Sequence, residues 1–174
     1  RLQPDDRRCF AFFHPAMPDE PLIFVEVALT EGTPDSIQKI LREDREMIAA
    51  DEADTAAFYS ISNCQAGLAG ISFGNSLIKT VVQHLLRELP QIRNFVTLSP
   101  IPGLVKWLNE TGLFDENADD RTQMKLAAHY LLTSKNHNGQ PHDPVARFHL
   151  NNGALVAAVH ANADTSKNGM AQSC

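Results

Sequence analysis

The sequence predicts a mixed β-sheet flanked by helices, of the α/β (α+β) class, and three observations carry that prediction. Two apolar, strand-like runs at 9–13 and 22–29 are separated by a stretch with three prolines, Pro15, Pro18 and Pro21, which reads as the turn of an antiparallel hairpin. An apolar run at 55–62 leads through a glycine-containing segment into a long amphipathic helix and then a further apolar run at 94–98, the order of a right-handed parallel crossover. The remainder alternates helical periodicity with polar turns, so helices cover the sheet.

Each element has its own signal. Thr33, Pro34, Asp35 and Ser36 suit the start of a short helix through Ile37, Ile40 and Leu41. The acidic stretch 43–54 reads as an exposed, solvated connection. In the long helix, Leu77, Ile78, Val81, Val82, Leu85, Leu86 and Leu89 recur on one face, Lys79, Gln83, Arg87 and Glu88 fall elsewhere, and Pro90 closes it. Leu104, Val105, Trp107 and Leu108 mark a short helical segment, and Met124, Leu126, Ala127, Tyr130, Leu131 and Leu132 a longer one. Residues 134–143, rich in Asn and His, form a loop before 144–150. Asn151, Asn152 and Gly153 then turn the chain into a strand-like run at 154–159. No internal repeat and no linker divides the sequence, so residues 1–174 read as one domain.

Composition narrows the function. With 174 residues, 43% hydrophobic and 21% charged, the chain can bury an ordinary core. Its formal charge of -6 offers no general attraction for nucleic acid or an anionic membrane surface. No run approaches the roughly 20 apolar residues of a membrane span. The charged start at 1–8 lacks the apolar core of a signal peptide, so a soluble intracellular setting is expected. Cys9, Cys64 and Cys174 show no metal or disulfide spacing and read as reduced thiols. The seven histidines form no HxH or HExxH pattern, so no metal is expected.

Three features bear on chemistry. Gly67, Gly70 and Gly74 precede the long helix, whose first turn offers unsatisfied N–H groups and the positive end of the macrodipole. A phosphate could sit there, or the glycines could serve only strand-to-helix packing. The spacing is neither GxxxxGK[ST] nor GxGxxG, which disfavours a P-loop or a Rossmann site. What remains is the acyl-CoA type of loop of the GNAT acetyltransferase superfamily, [QR]xxGx[GA], whose best register here falls on Ala69, Ser72 and Gly74. Second, Ser99 stands at the end of an apolar strand, where Pro100, Pro102 and Gly103 fix the exit of the chain. It is either a ligand-facing hydroxyl or a turn cap. Third, His149 lies between Phe148 and Leu150, an apolar setting that would lower its pKa, as either a proton-transfer group or a structural histidine.

Taken together, three segments resemble a known family. They are residues 58–79 with the glycine framework; Leu98-Ser99-Pro100-Ile101-Pro102-Gly103 with Lys106-Trp107-Leu108; and Pro144-Val145-Ala146-Arg147-Phe148-His149-Leu150-Asn151-Asn152-Gly153-Ala154. In order and spacing they resemble the catalytic domain of malonyl-CoA decarboxylase, across essentially the whole chain. The resemblance implies a GNAT-like sheet, catalytic roles for Ser99 and His149, and a malonyl-CoA-binding loop on Ala69, Gly70, Ile71, Ser72, Phe73, Gly74 and Asn75. Family members commonly carry glutamine where Ala69 stands, and some carry glutamate where Ser72 stands. The implied reaction converts malonyl-CoA to acetyl-CoA and CO2 through a thioester enolate protonated by the Ser/His pair. It needs no metal or organic cofactor, because coenzyme A belongs to the substrate. The family's N-terminal helical domain and extreme C-terminus are expected to be absent. The full-length protein is expected to be a homo-oligomer, in the cytoplasm of a bacterium or an organelle matrix of a eukaryote. Two other readings compatible with the fold are an acyl-CoA-dependent N-acyltransferase, for which Glu26 or Tyr59 would be the base, and a noncatalytic CoA-binding module.

Overall fold

The structure, a computed structural model, describes residues 4–68 and 74–174. The chain forms two compact units, one of Arg1–Pro34 and Lys39–Leu98, the other of Asp35–Gln38 and Ser99–Cys174.

The first unit is built on four strands in the order β1 (Arg7–His14), β2 (Met17–Thr30), β3 (Thr55–Asn63) and β4 (Asn94–Thr97). The first three pair antiparallel, while β3 and β4 are parallel, so the sheet is mixed as the sequence predicts. A short helix, α1 (Ile37–Leu41), follows β2, and α2 (Gly74–Glu88) makes the crossover between the parallel strands. The hairpin is tighter than expected. The proline-rich stretch is not a long turn: β2 already begins at Met17, His14 pairs with Met17 and Phe13 with Pro21. The prolines are tolerated because β3 joins β2 only from Ile23 onward, so residues 17–22 have a strand on one side alone and need no donor on the other.

Alternation along β2 sorts its side chains between the two faces. Ile23, Val25, Val27 and Leu29 are buried in a cluster with Phe58, with Val81 and Leu85 on the apolar face of α2, and with Leu89 just past its end. Leu86, expected on that face, lies at its edge and is 45% exposed. The opposite face of the sheet buries Ala28 and Ala57 against Ile40 of α1. Leu85 is fully enclosed, so Leu85→Ala is expected to destabilise the protein by about 2–5 kcal/mol through a cavity that cannot fully collapse, a loss that urea denaturation measures. The acidic connection is largely exposed, yet it is anchored: Arg45 pairs at 2.9 Å with the buried Asp6.

β4 pairs with β3 for four residues, from Asn94 opposite Thr55 to Thr97 opposite Phe58, and the Leu98 N–H then donates to the Phe58 carbonyl at 3.1 Å. β3 runs on to Asn63, and over Ser60–Asn63 the ladder partner among the described residues is β2.

The second unit is helical, with α3 (Leu104–Thr111), α4 (Asp120–Thr133), α5 (Pro144–Asn151) and α6 (Lys167–Ser173). Leu104 and Leu108 of α3 pack on Ala127 and Tyr130 of α4. Gly112, at φ 70°, adopts the left-handed conformation that ends α3. Asp119 caps α4 by accepting from the Thr122 N–H, and Ser166 caps α6 through the Gly169 N–H. The expected strand at 154–159 does not form. Among the described residues no strand lies beside it, and an apolar run without a ladder partner has nothing to fix it as sheet. Leu155 is 83% exposed.

Candidate active site

The second unit brings Ser99 and His149 together from positions fifty residues apart: Ser99 Oγ lies 3.1 Å from His149 Nε2. Two local structures make this meeting. The first is the tight segment from Ser99 to Gly103. Pro100 and Pro102 have no N–H to satisfy, and the two remaining N–H groups beyond the serine are both held, Ile101 by Ser173 Oγ at 3.0 Å and Gly103 by Asp143 Oδ2 at 3.2 Å. The Leu104 N–H closes the segment on the Ile101 carbonyl and starts α3.

The second is α5, which carries His149 in its last turn. Asp143 is its N-cap, accepting from Val145 N–H at 3.0 Å and Ala146 N–H at 2.9 Å through Oδ1. Pro144 occupies the first helical turn with its fixed φ already suited to the helix. Phe148 meets the His149 ring edge to face, with centroids 5.0 Å apart.

Burial lowers the His149 pKa below its ordinary value, because the imidazolium loses hydration. A cation near a helix C-terminus is favoured by the macrodipole, but here desolvation dominates, and the ring is neutral at physiological pH. In one tautomer the Ser99 hydroxyl donates to Nε2; in the other, Nε2–H donates to Oγ. Either way one proton lies between the two atoms in a fixed place. Such a pair can accept a proton from, or deliver one to, a carbon or oxygen lying against it.

Asp143 and Tyr130 surround the loop from below. Asp143 is 2% exposed, and its carboxylate is filled by three backbone N–H donors. Tyr130 is 1% exposed, and its hydroxyl, without a hydrogen-bond partner, lies against Gly103. Burial first, then the charge of Asp143, pushes the Tyr130 pKa up to about 12, so the phenol stays neutral. A Cβ at position 103 would collide with that hydroxyl. Gly103→Ala is therefore expected to cost about 1–3 kcal/mol of stability by overpacking, read as a lowered denaturation midpoint.

Among the other predicted site residues, Ala69, Gly70, Ile71, Ser72 and Phe73 lie outside the described residues. Gly74 and Asn75 open α2, where the backbone of the first turn carries the unsatisfied amides of a helix N-terminus. Sequence reasoning missed Asp143 and Ser173, the two side chains that fix the serine loop. The Asp143-Pro144 pair was a legible helix start. Among the described residues, no group of three His, Cys, Asp or Glu side chains could hold a metal ion, and no helix is long and apolar enough to cross a membrane.

The architecture defines a class before it defines a family. The loading GNATL domain of CurA from Lyngbya majuscula superposes with a TM-score of 0.53 at 14% identity, over 82% of this chain and 62% of that one, and shows the fold to be GNAT-like. The family model described as the malonyl-CoA decarboxylase C-terminal domain matches residues 1–124 and 116–174. The chain belongs to the malonyl-CoA decarboxylase family. It is 40% identical to the mitochondrial malonyl-CoA decarboxylase of Anser anser anser, over 97% of this chain and 42% of that protein. It is 36% identical to the mouse protein of the same name, over 97% and 44%. The crystal structure of malonyl-CoA decarboxylase from Rhodopseudomonas palustris matches at 49% identity and a TM-score of 0.86, covering 98% of this chain and 45% of that one. The chain thus spans under half the length of these relatives. The alignments to the goose and mouse proteins run over 215 and 220 residues, more than the 174 present here.

Proposed function

We propose that this chain carries the catalytic pair of a malonyl-CoA decarboxylase, with Ser99 and His149 as the proton-transfer groups. The observation that carries the proposal is the 3.1 Å contact between a serine hydroxyl and a half-buried, neutral histidine in a chain of this family. Decarboxylation of a malonyl thioester needs no added electron sink. The bond between the methylene carbon and the carboxylate breaks, its electron pair moves into the thioester as an enolate, and CO2 leaves. The enolate carbon then takes a proton from the Ser99/His149 pair, which solvent restores. The balance is malonyl-CoA plus one proton giving acetyl-CoA and CO2.

In this reading the segment 69–75 binds the coenzyme A portion, with the pyrophosphate taken by amides at the start of α2. The flank of β3 beyond Phe58, which lacks a β4 partner, suits the extended, amide-bearing pantetheine arm. No metal or organic cofactor is required. The whole protein binds malonyl-CoA, releases acetyl-CoA and assembles as a homo-oligomer, in an organelle matrix like its mitochondrial namesakes or in a bacterial cytoplasm. The test is incubation with malonyl-CoA in the presence and absence of small amines. Acetyl-CoA formed at the same rate without an amine supports decarboxylation. Malonylated amine with no acetyl-CoA would instead assign N-acyl transfer.

A further inference from the structure

We propose that Asp143 is a positioning residue for the reaction: its two carboxylate oxygens lock the serine loop to the helix that carries His149. The proposal rests on the Ser99/His149 reading above.

Each oxygen has its own task. Oδ1 accepts from the Val145 and Ala146 N–H groups and so fixes where α5 begins, while Oδ2 accepts from the Gly103 N–H and fixes the far end of the segment that starts at Ser99. His149 lies on α5, six positions after the cap, and Ser99 lies four residues before the tied glycine. One rigid carboxylate therefore sets both coordinates of the Ser99–His149 contact. Asp143 is 2% exposed, and its charge sits among three N–H donors, where a carboxylate bond is strong and short in reach. The loop has little other freedom. Its prolines fix two φ angles, Ser173 holds Ile101, and the Tyr130 hydroxyl fills the space under Gly103. Removing the Oδ2 link frees the end of the loop nearest α3, and a displacement near 1 Å at a reacting pair is enough to cost about a hundredfold in rate.

The two tasks can be separated. Serine is a good N-cap but too short to span to Gly103, so Asp143→Ser keeps the start of α5 and loses the tie, whereas Asp143→Ala loses both. Steady-state malonyl-CoA turnover is measured for wild type and both variants, with thermal melts and 15N NMR of the His149 ring. Ser99→Ala supplies the ring signature of a missing hydroxyl. The expected result for Asp143→Ser is a kcat lowered about 10- to 100-fold, KM within about twofold, a melting temperature close to wild type, and ring shifts moved toward those of Ser99→Ala. Asp143→Ala should show the same kcat loss with a lower melting temperature. Wild-type kcat and wild-type ring shifts in Asp143→Ser would overturn the proposal and leave Asp143 as a helix cap. If wild type itself does not turn over malonyl-CoA, the functional reading fails, and the ring shifts alone decide whether Asp143 holds the pair together.

Discussion

Replacing His149 with alanine is expected to lower malonyl-CoA turnover by about 10²- to 10⁴-fold while leaving affinity for coenzyme A nearly unchanged. The ring is the only titratable group in hydrogen-bond contact with Ser99 among the described residues, at 3.1 Å, and its removal leaves a lone hydroxyl with no partner to share its proton. Ser99→Ala should fall to a similar level, because proton delivery needs both the hydroxyl and the ring bonded to it, and either variant breaks that bond. The double variant should then be no worse than either single one, the non-additivity expected of groups that act as a unit. Steady-state kinetics on the three variants, with circular dichroism to verify folding, measures this. Losses that multiply would mean that the two residues act separately.

The second large effect is on pH. Burial holds the His149 pKa below the usual value of about 6.5, so the ring is neutral throughout the neutral and alkaline range. In this reading the Ser99 hydroxyl carries the proton delivered to the enolate and the neutral ring holds that hydroxyl in place through Nε2; an imidazolium has lost the lone pair that accepts from it. Turnover is therefore expected to be level above about pH 6.5 and to fall by about tenfold per pH unit once the medium is more acidic than the lowered pKa. The linked stability has the same sign. Because the folded-state pKa is depressed relative to the unfolded one, this group's contribution is fully present above about pH 6.5 and is lost as the pH falls through the folded value. A rate that rises on acidification through this window would make the imidazolium the active form instead.

The sheet was legible because its strands are apolar at the right period and because strand, helix and strand follow one another from 55 to 98. Where the reading missed, tertiary pairing was the cause. Prolines at 18 and 21 look like a turn until the outer end of β2 is seen to be paired on one side only, and the apolar run at 154–159 looks like a strand although it has no partner. Ser99 and His149 each stood out locally, but as a catalytic pair they were visible only through the resemblance of their segments to a family. Spacing could not show that residues fifty apart touch. The shell around them was invisible for a related reason: an aspartate before a proline signals a helix start, but its second oxygen reaches back forty residues to Gly103. The side chain of Tyr130 reads as one apolar position on α4, yet its hydroxyl also dictates that residue 103 be glycine.

The most direct test of the Ser99/His149 assignment is to supply the protein that carries this sequence, and its Ser99→Ala variant, with malonyl-CoA in deuterated water without any acceptor amine, and to quantify acetyl-CoA and CO2 together. The pair predicts equal amounts of the two products, one deuteron in the new methyl group, and near-complete loss of both products in the variant. Undiminished product formation by Ser99→Ala, or malonyl-CoA left intact by the wild type, would contradict it.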